Sequence, residues 1–322
     1  MLCYVPPPTT HIRHVPRGQF FMEVEGKLRG LGEGWRVGGV INLEHAFTPV
    51  LKFVVNGICV DLVYHQESWE TAPKDGIEGV VTRVYSGESM RSLNGVLLSD
   101  CINGVFDTYP VAREVLRVVK EWSRRVGTYG NSLGFLGGVN YALLVAFVVM
   151  RYPTVTDEAG CLEKFFGVWA RWDWSVPVVL AKVEKEWSAG RVVGQCSVWD
   201  INNPRDKRQC MPIITPLYPS MNSAFNVAEP QRRRMISEFK KAAKTVTDVI
   251  DPEKPTGWNE LFETENFFRG YSNFVEVSRW QARNEERPAT VRPRTLSHTH
   301  THHTGSDHGG QRGDVQAVAG VC

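Results

Sequence analysis

The chain has 322 residues, which is enough for two domains with substantial hydrophobic cores. Its formal net charge of +2 is too small to indicate nucleic-acid binding by itself, so any basic surface must come from local clustering. The seven cysteines include no CxxC pair, which argues against a zinc site or a disulfide framework and favours reduced intracellular thiols.

The first predicted elements are short. Residues 2–5 predict a strand that stops at three prolines, and this N-terminus lacks the charged and apolar regions of a signal peptide. Residues 18–31 predict a helix with one apolar face. The Gly-rich segment that follows lacks both the GKS/T ending and the GxGxxG spacing of phosphate loops. It is therefore interpreted as a turn between helix and strand.

Residues 50–64 predict a β-hairpin. Two apolar, β-branched-rich runs flank Asn56 and Gly57, the dipeptide that best tolerates the positive φ angles of a type I′ turn. With those two residues as the loop, Lys52 faces Asp61 across the strands. Because an unpaired carboxylate is costly to bury, Asp61 must lie on a wet or metal-bearing face. It is either half of a cross-strand ion pair, worth roughly 0.2 to 1 kcal/mol, or a metal ligand.

Residues 107–126 predict a helix that Asp107 or Thr108 caps and Gly127 ends. One side carries an apolar stripe. Another side carries a row of cations: Arg113, Arg117, Lys120 and Arg124. A solvated helix face and a phosphate-binding groove are both consistent with this row.

The second half of the chain predicts a helical core. Glycines after residue 127 precede a helix that is apolar nearly all round over 141–150, which indicates a buried element and no membrane span. An ATP phosphate or base is one alternative use of the glycine-rich helix start. Further helices are predicted at 160–171, 231–250 and 257–268, and a strand at 273–277. The proline-rich segment 200–227 is expected to pack along the surface.

The last part of the chain differs in composition. From residue 281 it is rich in Arg, Thr, His, Gly and Pro, which cannot build a core, so 281–322 is predicted to be a disordered tail. The motif HTHTHH at 298–303 is interpreted as part of that tail and not as a designed metal site.

Several motifs together resemble eukaryotic nuclear poly(A) polymerases: AFTPVLKFVVNGICVDL, RSLNG, GFLGGVNYALLVA, WDW, MPIITPLYPSMNSAFNV and LFETENFF. They occur in that family's order between residues 2 and 279. The family belongs to the DNA polymerase β-like nucleotidyltransferases. The resemblance implies transfer of AMP from ATP to an RNA 3′ hydroxyl with two divalent metal ions, Mg²⁺ or Mn²⁺.

The resemblance also implies an α+β fold in several parts. A partial nucleotidyltransferase palm sheet is expected at 1–68, a mostly helical nucleotide-binding middle domain at 69–265 and the start of a truncated RNA-binding domain at 266–280. Missing palm strands predict an unpaired sheet edge. Residence in the nucleus, and ATP, an RNA 3′ end and mRNA 3′-end processing factors as partners, are implied by the resemblance alone.

Matching motifs imply roles for individual residues. Asp61 looks like a catalytic, metal-binding carboxylate, and Phe47 and Lys52 look like RNA-contacting positions. An ATP site is implied at Asn94, Lys120, Tyr129, Gly138 and Val139. The residue types suit that role, because a lysine offers charge to phosphate, a tyrosine offers a hydroxyl and a ring, and a glycine leaves the backbone open.

The metal site is expected to be incomplete. The family's other two carboxylates, an Asp-x-Asp pair, are expected before Met1, and Asp61 alone cannot hold two metal ions. We therefore expect an adenylyltransferase by family whose 322-residue chain is inactive alone. The alternative is a catalytically inert pseudoenzyme that serves as an RNA- or protein-binding scaffold.

Overall fold

A computed structural model describes residues 16–31, 34–46, 48–64, 87–183, 197–264, 273–277 and 317–321, without side-chain detail for 87–93, 273–277 and 317–321. The predicted strand at 2–5 and the predicted RNA contact Phe47 lie outside these residues. Within the described part, no helix combines the length and the apolar character needed to cross a bilayer.

The N-terminal unit is a helix on a small antiparallel sheet. Helix α1 (Arg17–Arg29) contacts the first strand, and the strands follow in the order β1 (Val37–Leu43), β2 (Val50–Val55) and β3 (Ile58–Val63). Phe21 of α1 and Leu51 of β2 are fully buried. The predicted helix at 18–31 and the predicted hairpin are thus confirmed.

The hairpin has the predicted register. Lys52 pairs with Asp61, and Val55 pairs with Ile58 on either side of the turn. Asn56 has a φ of 51° and Gly57 a φ of 82°, as a type I′ turn requires at both central positions. The turn residues therefore determine which side chains face each other across the strands.

The rest of the described chain is mainly helical. Its elements are α2 (Gly87–Thr108), α3 (Val111–Arg125), α4 (Gly138–Arg151), α5 (Glu158–Arg171), α6 (Pro204–Lys207) and α7 (Glu229–Ile250), with short 3-10 turns at Asn131–Leu133 and Trp258–Phe262. Strands β4 (Val178–Val179) and β5 (Ile213–Ile214) form a small parallel pair. Helices and sheets together give the predicted α+β class.

An aromatic core holds the helices together. The indole of Trp122 on α3 lies 4.8 Å from the Phe166 ring of α5 and 5.4 Å from the Phe239 ring of α7, measured between centroids. Helix α4 is buried on nearly every side, as predicted. The proline-rich segment is more central than expected, because Met211 and Ile213 are fully buried in the same core.

Helix α2 was not predicted, and it changes the start of α3. Asp107 and Thr108 do not cap α3, because they lie in the last turn of α2, where the Thr108 hydroxyl donates to the Gly104 carbonyl at 3.1 Å. Helix α3 begins after Pro110, whose missing N–H interrupts the hydrogen-bond pattern. The predicted cap is therefore wrong, although the helix itself is confirmed.

The C-terminal part also differs from expectation. Strand β6 (Asn273–Val277) is present as predicted, and it pairs antiparallel with β7 (Ala317–Val321). The prediction of a wholly disordered tail is therefore wrong for β7, a short apolar run at the end of the chain. The predicted helix at 257–268 is a 3-10 turn over Trp258–Phe262, and its last residues lie outside the described part.

Candidate functional site

Two side chains and one backbone position meet at the start of α4. A Cβ atom placed on Gly138 would lie 3.1 Å from the Tyr129 hydroxyl oxygen and 3.6 Å from the Lys120 Nζ. Lys120 comes from α3, Tyr129 from the loop after it, and Gly138 is the first residue of α4. Because any side chain at Gly138 would crowd this space, glycine keeps it open. We call these three residues the α4 corner.

Hydrogen bonds hold the start of α4 in place. The Gly137 N–H donates to Asn140 Oδ1 at 2.7 Å, and Asn140 Nδ2 donates to Ser223 Oγ at 2.7 Å. The N–H groups of Gly138 and Val139 have no partner within the helix, because the first turn of any helix leaves such donors unpaired. These donors, the helix dipole and the Lys120 ammonium all favour an anion at the α4 corner.

The Tyr129 ring is held by its neighbours. It stacks on the Tyr141 ring with centroids 6.1 Å apart, and the guanidinium carbon of Arg124 lies 4.7 Å from its centroid. Tyr141 is fully buried and donates its hydroxyl to the Thr128 carbonyl at 3.1 Å. Burial raises the pKa of Tyr141 far above its usual range, so this support stays neutral. The packing fixes where the Tyr129 hydroxyl lies.

The basic row on α3 divides into two parts. Arg113 forms an ion pair with Asp107 at 2.8 Å, and Arg117 pairs with Glu114 on its own helix. Among the described residues, no carboxylate lies within 4.0 Å of the Lys120 ammonium. A solvated, locally paired face therefore describes Arg113 and Arg117, whereas Lys120 can meet an anion.

The other two predicted ATP-site residues are placed differently. Val139 follows Gly138 on α4, and its side chain is about half exposed. Asn94 on α2 is 5% exposed and donates Nδ2 to the Pro219 carbonyl at 3.2 Å. Its Oδ1 has no hydrogen-bond partner in the described structure. The roles of both residues in ATP binding stay predictions.

One segment, residues 219–226, makes hydrogen bonds at three points around the candidate site, and we call it the strap. Its Pro219 accepts from Asn94, its Ser223 accepts from Asn140, and its Asn226 donates to the Asn131 carbonyl between Tyr129 and α4. Sequence reasoning missed these supports. The GxxN spacing of Gly137 and Asn140, in which a side chain at the third helical position reaches back to the cap, was the available signal.

The hairpin carries an ion pair. Lys52 Nζ lies 2.6 Å from Asp61 Oδ2, and both side chains are about half exposed. In the described residues, no three His, Cys, Asp or Glu side chains gather into a metal-binding group. Asp61 therefore makes the cross-strand ion pair that was one of its two interpretations. The described residues alone do not fit a pair of divalent cations.

Residues 111–264, which contain the α4 corner and the strap, match the protein family described as Poly(A) polymerase central domain. This match assigns the helical stretch 111–264 to the central domain of the poly(A) polymerase family. The chain is 34% identical over 277 residues to the poly(A) polymerase of Dictyostelium discoideum, covering 85% of this chain and 33% of that protein. It is 34% identical over 269 residues to nuclear poly(A) polymerase 1 of Arabidopsis thaliana, covering 82% and 36%.

The chain belongs to the poly(A) polymerase family, as the sequence motifs indicated, and spans about a third of the length of these relatives. Among solved structures it is similar to a crystal structure of mtPAP in complex with ATPgammaS, with a TM-score of 0.49 and 14% identity over 82% of this chain and 58% of that one.

Proposed function

We propose that this chain forms the ATP-binding part of an enzyme that adds AMP from ATP to RNA 3′ ends without a template. The observation that carries this proposal is the α4 corner, where Lys120, Tyr129 and the open backbone of Gly138 meet. Membership of the poly(A) polymerase family supports it. The proposal includes nuclear residence and contact with mRNA 3′-end processing factors, in line with the nuclear relative from Arabidopsis thaliana.

Each residue has a definite task in this proposal. The Lys120 ammonium neutralises phosphate charge, and the Tyr129 hydroxyl and the N–H groups of Gly138 and Val139 donate hydrogen bonds to phosphate oxygens. The half-exposed Val139 side chain offers an apolar contact to the nucleoside. Asn94 Oδ1, which is buried and has no partner in the described structure, accepts a hydrogen bond from a ribose hydroxyl.

Divalent metal ions, Mg²⁺ or Mn²⁺, would supply Lewis-acid stabilisation of the phosphoryl charge in this reaction. Among the described residues, the family's motif assigns a metal-binding role to the Asp61 carboxylate, and Lys52 already neutralises it. We therefore assign the described residues the binding and orientation of ATP. The RNA-contacting roles of Lys52 and Phe47 remain part of the proposal.

A second candidate is an inert RNA- or protein-binding scaffold, and the Lys52–Asp61 ion pair favours it because the pair occupies the predicted metal ligand. RNA binding that weakens steeply with salt, with no measurable ATP binding, would support the scaffold. ATP binding at the α4 corner would support the adenylyltransferase.

Calorimetric titration with ATP, in Mg²⁺ and separately in EDTA, tests the main proposal. We expect Lys120→Ala to weaken ATP binding by at least about tenfold in both buffers, because a hydrogen bond to a charged group contributes roughly 1.5 to 3 kcal/mol. Lys244→Ala, which removes an exposed lysine from α7, is the matched control and is expected to bind ATP like the wild type. Equal affinity of the wild type and Lys120→Ala would refute the assignment.

A further inference from the structure

We infer that Asp206 is a positioning residue for the nucleotide site, because a chain of hydrogen bonds connects its buried carboxylate to the start of α4. The inference rests on the proposed function, since it assumes that ATP binds at the α4 corner. Asp206 lies on α6, outside that corner. We call the connection the polar chain, and its side chains are those of Asn140, Ser223, Asn222, Gln209 and Asp206.

The first half of the polar chain runs from α4 into the strap. The Gly137 N–H donates to Asn140 Oδ1, and Asn140 Nδ2 donates to Ser223 Oγ, both at 2.7 Å. The Ser223 hydroxyl donates to the Ile213 carbonyl at 2.9 Å, which leaves its oxygen free to accept from Asn140. The strap is thus joined to α4 on one side and to β5 on the other.

The second half of the polar chain runs from β5 to Asp206. The N–H groups of Ile213 and Ala224 both donate to Asn222 Oδ1 at 2.9 Å. Asn222 Nδ2 donates to Gln209 Oε1 at 2.8 Å, and Gln209 Nε2 donates to Asp206 Oδ1 at 3.3 Å. Asn222 is 5% exposed and Asp206 is 2% exposed, so these buried polar groups depend on each other as partners and not on bulk water.

The direction of the bonds follows from the main chain. A backbone N–H group can only donate, so the oxygen of Asn140 must face Gly137 and the oxygen of Asn222 must face β5. Each side-chain amide then presents its NH2 group to the next member, and the last member has to accept. A carboxylate, which only accepts, meets that requirement at Asp206.

Further donors hold Asp206 as the last acceptor. The Asp200 N–H donates to its Oδ2 at 3.1 Å, and Arg205 Nε donates to its Oδ1 at 3.2 Å. The Asp206 side chain is 1% exposed, and a buried charge polarises the hydrogen bonds that lead to it. Asp206 therefore orients Gln209, and through Gln209 it orients the strap and the first turn of α4.

Gln209→Glu tests this direction with a side chain of nearly the same shape. The variant keeps the oxygen to which Asn222 and Trp199 donate, but it places a second carboxylate against Asp206. A like charge in a buried site raises the pKa of the introduced carboxyl, so lowering the pH protonates it. Once protonated, it donates to Asp206 as the glutamine does, and the polar chain is restored.

Calorimetric titration of the full chain with ATP measures the effect at two pH values. We expect Gln209→Glu to bind ATP about tenfold more weakly than the wild type at pH about 8 and less than about twofold more weakly at pH about 5.5. ATP itself titrates over this range, so the quantity compared is the ratio of the variant and wild-type dissociation constants at each pH.

Two further variants make the test specific. Gln19→Glu is the matched control, because Gln19 also donates to a carboxylate, that of Glu23 at 2.7 Å, but on the exposed surface of α1. It should bind ATP like the wild type at both pH values. The double variant Asp206→Asn, Gln209→Glu moves the charge one position along the polar chain, where the asparagine nitrogen can donate to the new carboxylate. It should bind ATP within about threefold of the wild type at both pH values.

The outcomes separate this inference from the proposed function. Wild-type ATP affinity in Gln209→Glu at pH about 8, an equal loss at both pH values, or a loss of stability in urea without a loss of affinity would overturn the role of Asp206. If Lys120→Ala weakens ATP binding in those cases, the proposed function stands and the inference alone fails. If the wild type does not bind ATP, both fail. If Gln209→Glu does not fold at pH about 8, the double variant decides: binding near the wild-type level supports the inference, and weak binding refutes it.

Discussion

The openness of the α4 corner can be tested by adding one methyl group to it. In Gly138→Ala the new Cβ would lie 3.1 Å from the Tyr129 hydroxyl oxygen and 3.6 Å from Lys120 Nζ. Lys120 Nζ is the end of a flexible side chain, and the held Tyr129 ring needs to give by only a few tenths of an ångström, so the fold should survive. ATP affinity should fall, because the added methyl group occupies space that a bound phosphate needs. Overpacking by one methyl group costs about 1 to 3 kcal/mol, which corresponds to a loss of ATP affinity of roughly 5- to 150-fold.

Gly104→Ala is the matched control for this substitution. Gly104 lies within α2, and a Cβ atom there would have no neighbour within 4 Å. Alanine in place of a helical glycine should stabilise the fold by about 0.5 to 1 kcal/mol and leave ATP binding unchanged. Calorimetry with ATP and urea unfolding would be measured on the same samples. Wild-type ATP affinity in Gly138→Ala, or a loss of affinity matched by a loss of stability, would refute the reasoning.

Three other substitutions test the core, the support of the site and the hairpin. Phe239→Ala should lower the free energy of unfolding by about 3 to 5 kcal/mol, because this ring is fully buried. The control Phe225→Ala should change it by less than about 1 kcal/mol, because that residue is 61% exposed. Above pH about 10 the unfolded chain loses the Tyr141 proton while the folded chain keeps it, so the free energy of unfolding should fall by about 1.4 kcal/mol per pH unit. Urea titrations at pH 9 to about 11 measure this slope, and Tyr141→Phe should flatten it. Asp61→Asn should lower the free energy of unfolding by at most about 1 kcal/mol in the same urea assay, since the ion pair of Asp61 with Lys52 is half exposed. A larger loss would contradict the interpretation of this contact as an exposed cross-strand ion pair.

Local features of this chain were predictable and distant contacts were not. The Asn56-Gly57 turn gave the exact pairing of Lys52 with Asp61, because a two-residue loop leaves no freedom in the register. Helix α4 was equally clear from its continuous apolar run. Helix α2 was missed because glycines and polar residues interrupt its apolar positions, so that neither a helical nor a strand period stands out.

In the candidate site, too, local features were predictable and distant contacts were not. Periodicity placed Lys120 on a basic face, but its meeting with Tyr129 and Gly138 was expected only from family resemblance. The hydrogen bond from Asn140 to Ser223 joins residues 83 positions apart, and no local sequence pattern around either residue predicts this contact. Arg124 looked like any member of the basic row until the structure placed it over the Tyr129 ring.

Because of the strap, the geometry of the α4 corner depends on the folding of the whole domain. Its bonds close loops of 125 residues to Asn94, 83 residues to Asn140 and 95 residues to Asn131. Loop closure of that length has an entropic cost that only a completed core offsets. A fragment that ends before Pro219 would contain Lys120, Tyr129 and Gly138 yet lack the partners of Asn94, Asn131 and Asn140. Nucleotide binding should therefore appear in one step with cooperative folding and not grow as the chain is extended.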